Sequence, residues 1–381
     1  MENFVAYNPV KVIFGRDVVN VRMKRELSSF GNNVLLIYGK GSIKRNGIYN
    51  QVISILKESG KTVFEYGGIK SNPLCTDAQV AIKLAYENKA DMILAVGGGS
   101  VIDTAKLVAL CSPANDNVWK VMKGEVKPAK ALPLVSVLTL AATGTEMNPF
   151  AVLQNPATGE KIGFGSPLVY PAVSFLDPAY TVSVPVNYTA YGIADICAHL
   201  LEAYFGEGDA PLSDKWIFAI MRELTEVGEP LLKDPENYNL RERMLWASTQ
   251  ALNGTTLHGR KSGEWGVHDI GHTISFLYDI PHGATLSVAY PAWMKHMLPH
   301  IQSRLKTLGE NVFGVNEPEK TIEALTNFFK KISCPVSLAD LNLQDKKQEI
   351  LSLMIKNKVS GMHYKLSEED LTAIAEQMVI I

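Results

Sequence analysis

Residues 91–110 read DMILAVGGGSVIDTAKLVAL, and this stretch decides the fold. The apolar run 92–96 has the pattern of a buried strand. It ends in Gly97, Gly98, Gly99 and Ser100, and a helical pattern follows at once. Three glycines remove Cβ atoms, so backbone N–H groups can approach a diphosphate closely. The helix adds the positive end of its dipole, with Asp103 in its first turn. The string is not the GxGxxG dinucleotide fingerprint, and without a ligand it is a tight strand-to-helix turn. Three glycines at the carboxyl end of a strand favour the phosphate site.

Working outward, further short apolar runs lie at 34–38, 62–66, 134–138 and 173–176. Helical patterns at 47–59 and 77–88 separate the earlier ones. Strands alternating with helices predict a mostly parallel sheet covered on both faces. After Pro185 the texture changes. Residues 190–205 carry apolar side chains at 193, 196, 197, 200, 201 and 204, a helical period. Further helical patterns follow at about 213–227, 240–256, 262–277, 284–298, 319–332 and 347–358. A last one starts at Ser367, with Asp370 three residues on, a capping-box spacing. The expected fold is therefore α/β, with a Rossmann-like nucleotide-binding domain over 1–185 and an all-helical domain over 186–381.

Composition excludes several function classes. The chain has 381 residues, 46% of them hydrophobic, enough for two buried cores. Lys+Arg is 37 and Asp+Glu is 39, a formal net charge of −2. That balance offers no electrostatic reason to bind nucleic acid or an anionic membrane. Cys75, Cys111, Cys197 and Cys334 are far apart and share no CxxC spacing, so neither a thiolate zinc site nor a disulfide framework is expected. The segment MENFVAYNPVKVIFG has no basic region followed by an apolar run, and no stretch nears the ~18 apolar residues of a membrane span. A cytoplasmic protein is expected.

Two more loops follow strands. IYGKGSIKRNG (37–47) places Gly39 where NAD-selective sites often carry an acidic residue for the ribose hydroxyls. Lys40, Lys44 and Arg45 lie close by. The combination admits a 2′-phosphate, so NADP(H) is favoured over NAD(H); a solvated basic loop is the alternative. TLAATGTEMN (139–148) offers small residues and hydroxyls suited to a nicotinamide or phosphate, a weaker signal.

The 8 histidines lie at 199, 258, 268, 272, 282, 296, 300 and 363, none in the first half. Asp195 and His199 are four apart in a predicted helix and share one face. His268 and His272 repeat that spacing in EWGVHDIGHTIS, and His282 follows in IPHGAT. Each alone reads as a surface, core or helix-start residue. Together, one carboxylate and two or three imidazoles make a divalent-metal set.

With these segments in view, the chain resembles the iron-containing alcohol dehydrogenase family, in its NADPH-dependent butanol dehydrogenase or aldehyde reductase-like branch. The resemblance spans essentially the whole length. It rests on NPVKVIFG (8–15), the GGGSxxD turn (97–103), the Thr/Gly loop (139–148), FLDPAYT (175–181), the segment through Asp195, His199 and Glu202, and HDIGH…PHG (268–283). It implies a dehydroquinate synthase-like architecture, with the active site in the cleft between the two domains. Asp195, His199, His268 and His282 would hold one divalent metal, Fe2+ or Zn2+. His272 would line the site as a catalytic non-ligand. Gly39, Ser42, Asn72, Gly97, Gly98, Gly99, Ser100, Asp103, Thr139, Thr143, Asn148 and Lys161 would border the cofactor. NAD-selective members tend to carry Asp where this chain has Gly39. The chain departs from the pattern at Cys197, where an aliphatic residue is usual, and at Ala141, where Pro is common.

The expected reaction is hydride transfer between a short primary alcohol, or its aldehyde, and NADP(H), with the metal as Lewis acid. Met147, Phe150, Trp265 and Phe276 would make the pocket apolar. The resemblance also implies a homodimer. Competing readings are a sugar-phosphate cyclase of dehydroquinate synthase type and a non-catalytic metal- or nucleotide-binding protein. The cyclase typically uses Glu with two His, unlike this set.

Overall fold

The computed structural model describes residues 1–380, which fall into two compact units. One comprises Tyr7–Val184 and Glu236–Leu245. The other comprises Met1–Ala6, Pro185–Pro235 and the chain from Trp246 onward.

The first unit runs β1 (Lys11–Phe14), α1 (Val18–Leu27), β2 (Asn33–Gly39), α2 (Ser42–Arg45), α3 (Ile48–Glu58), β3 (Thr62–Ile69), α4 (Cys75–Glu87), β4 (Met92–Gly97) and α5 (Gly99–Cys111). It continues through α6 (Val118–Met122), β5 (Leu134–Leu138), β6 (Phe150–Asn155), β7 (Glu160–Gly165) and β8 (Val173–Leu176). Six strands form one parallel sheet in the order β1-β8-β5-β4-β2-β3. β6 and β7 form a separate antiparallel hairpin.

Period-two alternation divides the strand side chains between two cores. Val34, Leu36, Tyr38, Met92, Leu94, Val96, Val135 and Val137 pack with Val19 and Met23 of α1 and Val52 and Leu56 of α3. The alternate residues Leu35, Ile37, Ile93 and Ala95 are equally buried. They share their face with α5, whose Val101 lies beside the positions a Cβ would take at Gly39 and Gly97. Coverage of both faces is why β2 and β4 read as continuous apolar runs.

The five expected strands are all present. β1 and the β6–β7 hairpin are additions. β1 has four residues at the sheet edge and buries Ile13 alone, too little for a pattern to show. The chain passes from β2 outward to β3, crosses back to β4, and proceeds through β5 to β8. The strand order therefore reverses between β2 and β4, where open α/β sheets bind ligands at the carboxyl edge. Gly39 and Gly97 end those two strands, with Tyr38 opposite Val96 in register.

The second unit carries α7 (Val186–Tyr204), α8 (Pro211–Lys233), part of α9 (Tyr238–Ala251), α10 (Gly266–Tyr278), α11 (His282–Leu308), α12 (Pro318–Lys331), α13 (Lys347–Lys356) and α14 (Glu368–Gln377). It holds no strand among the described residues. The Ser367 capping box forms: Ser367 Oγ accepts from Asp370 N at 3.2 Å, and Asp370 Oδ2 accepts from Ser367 N at 2.8 Å. α11 outruns the expected 284–298 and contains Pro291 and Pro299. An interior proline costs a helix about 3 kcal/mol. Here α11 packs against α7, α10, α12 and α14, and burial of its apolar side chains outweighs that cost. No helix among the described residues is long and apolar enough to cross a membrane.

Candidate functional site

The second unit gathers the Asp/His set. α7 presents Asp195, His199 and Glu202 at a spacing of one and then nearly two turns, hence on one face. His268 and His272 repeat this on α10, and His282 is the first residue of α11. Glycines let these helices meet. A Cβ at Gly283 would lie 1.9 Å from the Tyr191 carbonyl oxygen of α7. One at Gly271 would lie 2.8 Å from Leu286 and Thr285 of α11.

Asp195 Oδ1 lies 3.6 Å from His199 Nε2, 3.9 Å from His268 Nε2 and 4.0 Å from His282 Nε2. Asp195, His268 and His282 each bring one ligand atom within 4.8 Å of the others. His199 joins as the fourth through its distance to Asp195. These separations exceed hydrogen-bond length. They approach the roughly 3.4 Å expected between ligands at ~2.1 Å from a tetrahedral ion. Burial pushes the His199 imidazole down to about 4, against the pull of Asp195, so the ring is neutral near pH 7 and has a lone pair to give. Its Nδ1 is buried with no hydrogen-bond partner among the described residues, and the ring stacks on His268 at 5.0 Å. A hard-to-borderline dication fits this donor set.

His272 stands beside the cluster. Its ring centroid is 5.0 Å from that of His282 and 6.4 Å from that of His268, and Nδ1 is 3.9 Å from Asp269 Oδ1. Trp265 packs its ring edge on His268 at 5.3 Å, and Phe276 is half-buried on the same helix.

Glu202 has a role that the sequence reading missed. It is fully buried. Its Oε1 accepts from His268 N at 3.0 Å and from His268 Nδ1 at 2.8 Å, and its Oε2 accepts from Trp265 N at 2.5 Å. α10 begins after Trp265, whose φ is 64° and which gives no side-chain cap. The carboxylate of α7 thus caps α10 and fixes the His268 tautomer that turns Nε2 toward Asp195. Burial pushes Glu202 up to about 8, while the His268 and Trp265 N–H groups pull it down. Three donors aimed at it favour the ionised acceptor. The i+3 step from His199 was the available signal.

The first unit collects most cofactor candidates at the carboxyl edge of its sheet. Thr139 N donates to Gly97 O at 3.0 Å, tying the ends of β5 and β4. Ser100 Oγ donates to the Ser71 carbonyl, and Lys161 Nζ donates to Asn72 Oδ1 at 2.8 Å. α5 starts at Gly99 with no side-chain cap. Two of the glycines also have packing reasons. A Cβ at Gly97 would meet Val101 at 2.6 Å, and one at Gly99 would meet Thr143 at 2.6 Å. Gly39 differs, because a Cβ there would make ordinary contacts at 3.6 and 3.7 Å. Ser42 opens α2 and is exposed. Lys44 Nζ rests 4.8 Å from the Tyr38 ring centroid and 4.7 Å from that of Tyr49. Both hydroxyls donate to Glu65, at 3.1 and 2.8 Å.

Asp103 and Asn148 are placed otherwise. Asp103 Oδ1 accepts from Thr145 Oγ1 at 2.6 Å, and Oδ2 accepts from Val152 N at 3.0 Å. Asn148 Oδ1 accepts from Lys106 Nζ at 3.1 Å and from Phe150 N at 2.9 Å. Their polar groups are turned toward the protein.

Comparison with known proteins agrees with a parallel-sheet first half and a helical second half. Residues 9–178 match the family described as iron-containing alcohol dehydrogenase, and residues 189–379 match its C-terminal domain. The chain is 41% identical to the probable NADH-dependent butanol dehydrogenase 1 of Bacillus subtilis, covering 98% of this chain and 99% of that one. It is 35% identical to the NADPH-dependent aldehyde reductase YqhD of Escherichia coli, covering 98% and 97%. Its backbone matches the crystal structure of the NADH-dependent butanol dehydrogenase A of Thermotoga maritima with a TM-score of 0.95 and 37% identity, covering 100% and 99%. With both halves of the chain matched by the family and relatives aligned over nearly its whole length, the chain belongs to the iron-containing alcohol dehydrogenase family.

Proposed function

We propose that the protein interconverts short-chain primary alcohols and aldehydes with a nicotinamide cofactor, NADP(H) in preference to NAD(H). One observation carries the reading: three imidazole Nε2 atoms converge on Asp195 Oδ1 from three helices, at 3.6, 3.9 and 4.0 Å. Asp195, His199, His268 and His282 would hold Fe2+ or Zn2+. When bound there, such an ion supplies Lewis acidity to an alcohol or carbonyl oxygen. A bound nicotinamide supplies or accepts the hydride.

The chain's own residues do the holding. One carboxylate with three neutral imidazoles leaves a dication a net charge near +1, still electrophilic. Glu202 keeps His268 in the tautomer that presents Nε2. His272, its ring centroid 5.0 Å from that of His282, would line the site beside the ion as a non-ligand. The uncapped start of α5 and the glycines before it would hold the cofactor's diphosphate. The preference for NADP(H) is supported by Gly39, which no packing demand explains, and by the basic residues Lys40, Lys44 and Arg45 after β2. The relatives' names cite both NADH and NADPH.

The test is the rate of butanal reduction with NADPH and with NADH, on protein whose metal content has been measured. Faster turnover with NADPH is expected, and Gly39→Asp should reverse the order by repelling the 2′-phosphate. Faster turnover of the unsubstituted protein with NADH would overturn the cofactor preference. Absence of turnover across a panel of aldehydes and primary alcohols would overturn the whole reading.

A further inference from the structure

Lys106 has no place in the chemistry above, yet it is fully buried on α5, two turns after the glycine turn. Its Nζ donates to Thr145 Oγ1 at 2.6 Å, Asn148 O at 2.8 Å, Asn148 Oδ1 at 3.1 Å and Phe150 O at 2.6 Å. The Thr145 hydroxyl in turn donates to Asp103 Oδ1 at 2.6 Å, and Asp103 Oδ2 accepts from the Val152 N–H of β6. Asp103 and Lys106, three apart on α5, thus grip one loop, 139–148, and the strand after it. The far side of that loop is held too, since Ser174 Oγ of β8 donates to Glu146 O at 2.6 Å.

This is a costly arrangement for packing alone. A buried ammonium loses its hydration, a large cost unless its partners replace it. Burial pulls Lys106 down to about 7, against the opposing pull of Asp103 and Glu146. The same amount of apolar contact would come from a methionine without that penalty. The loop it holds lies directly against the glycine turn. Thr143 sits where a Cβ on Gly99 would be, 2.6 Å from that position.

We propose that Lys106, Thr145 and Asp103, the acceptor of the Thr145 hydroxyl, are positioning residues that set the spacing between the glycine turn and the 139–148 loop and so set the affinity for the nicotinamide cofactor. None of the three contacts the cofactor in this assignment. Asp103, which the sequence places among cofactor contacts, acts instead through Thr145 and Val152. The inference rests on the proposed function, because it takes these two loops as the cofactor's seat.

Thr145→Val is the decisive variant, since it keeps the shape and removes the hydroxyl that Lys106 and Asp103 share. Thr145→Ser restores the hydroxyl. Cofactor dissociation constants are read by the quenching of tryptophan fluorescence, and KM for cofactor and for butanal by steady-state rates. The expected result is a rise of about tenfold in Kd and KM for NADPH in Thr145→Val. KM for butanal should stay unchanged, and Thr145→Ser should recover most of the loss. Lys106→Met should raise the cofactor Kd similarly, and the double variant should be no worse than either single one. Leu110→Ala, buried on the same helix, measures what mere loss of stability does. Equal cofactor affinity in Thr145→Val and the unsubstituted protein would overturn the proposal, as would an equal loss in Leu110→Ala at matched Tm. Failure of the unsubstituted protein to bind NADPH or NADH at all would overturn the function reading first and this one with it.

Discussion

At the scale of single residues, Glu202 shows how one side chain can serve a helix and a ligand together. Its carboxylate accepts two backbone N–H groups at the start of α10 and the Nδ1–H of His268. Glu202→Gln would keep the volume and put an NH2 where one of those donors points. We expect metal affinity to fall about 10–100-fold. Competition with a chromogenic chelator measures it without reference to turnover. Unchanged affinity would show that His268 is oriented by packing on His199 and Trp265 alone.

Among the elements, α11 matters most for the cluster, because its first residue is a proposed ligand and its second is a glycine in contact with α7. Gly283→Ala puts a methyl group against the Tyr191 carbonyl, backbone on backbone, with no flexible end to give way. Overpacking of this kind costs about 1–3 kcal/mol, a fall in Tm of roughly 2–12 °C for a unit of this size. Metal content should fall as well, because α11 must lift from α7 and carry His282 with it. A normal Tm with a full complement of metal would disprove the close approach. The elements also show where legibility ended. The long apolar strands β2, β4 and β5 were readable because both faces are buried. β1 and the β6–β7 hairpin were not, since their burial patterns are broken and partly exposed. The expected 284–298 helix fell short of α11, which runs through Pro291 and Pro299 because it packs against four other helices.

At the scale of the molecule, the second unit brings together the proposed ligands Asp195, His199, His268 and His282. An ion held there by three helices would bind the folded chain and not the unfolded one, and so would add stability by mass action. Dialysis against a chelator should therefore lower Tm, and adding back Fe2+ or Zn2+ should raise it in proportion to the logarithm of the metal concentration. At a hundred times Kd the gain is about 2.7 kcal/mol. A Tm indifferent to chelator and to metal, with the protein shown metal-free by elemental analysis, would remove the metal from the account. The family match over 9–178 and 189–379 explains why so much was legible from one chain. The glycine turn, the helical D-x3-H and H-x3-H spacings and the PHG turn are local signals, set by a few bonds of backbone geometry.

The sequence by itself determined the strands β2, β3, β4, β5 and β8, their alternation with helices, the helical texture after residue 185, and the residue types of the Asp/His set. These depend on hydrophobic period and on spacing within one element, which a linear string records. The tertiary structure alone decided that strand order reverses between β2 and β4, and that Asp195 Oδ1 faces three Nε2 atoms at 3.6–4.0 Å. It also decided that Glu202 caps a helix it does not belong to, and that Asp103 and Lys106 turn inward to hold a loop some forty residues on. Those are distances between elements. They follow from which glycines let backbones close up and which buried charges find partners, and no spacing along the chain encodes them.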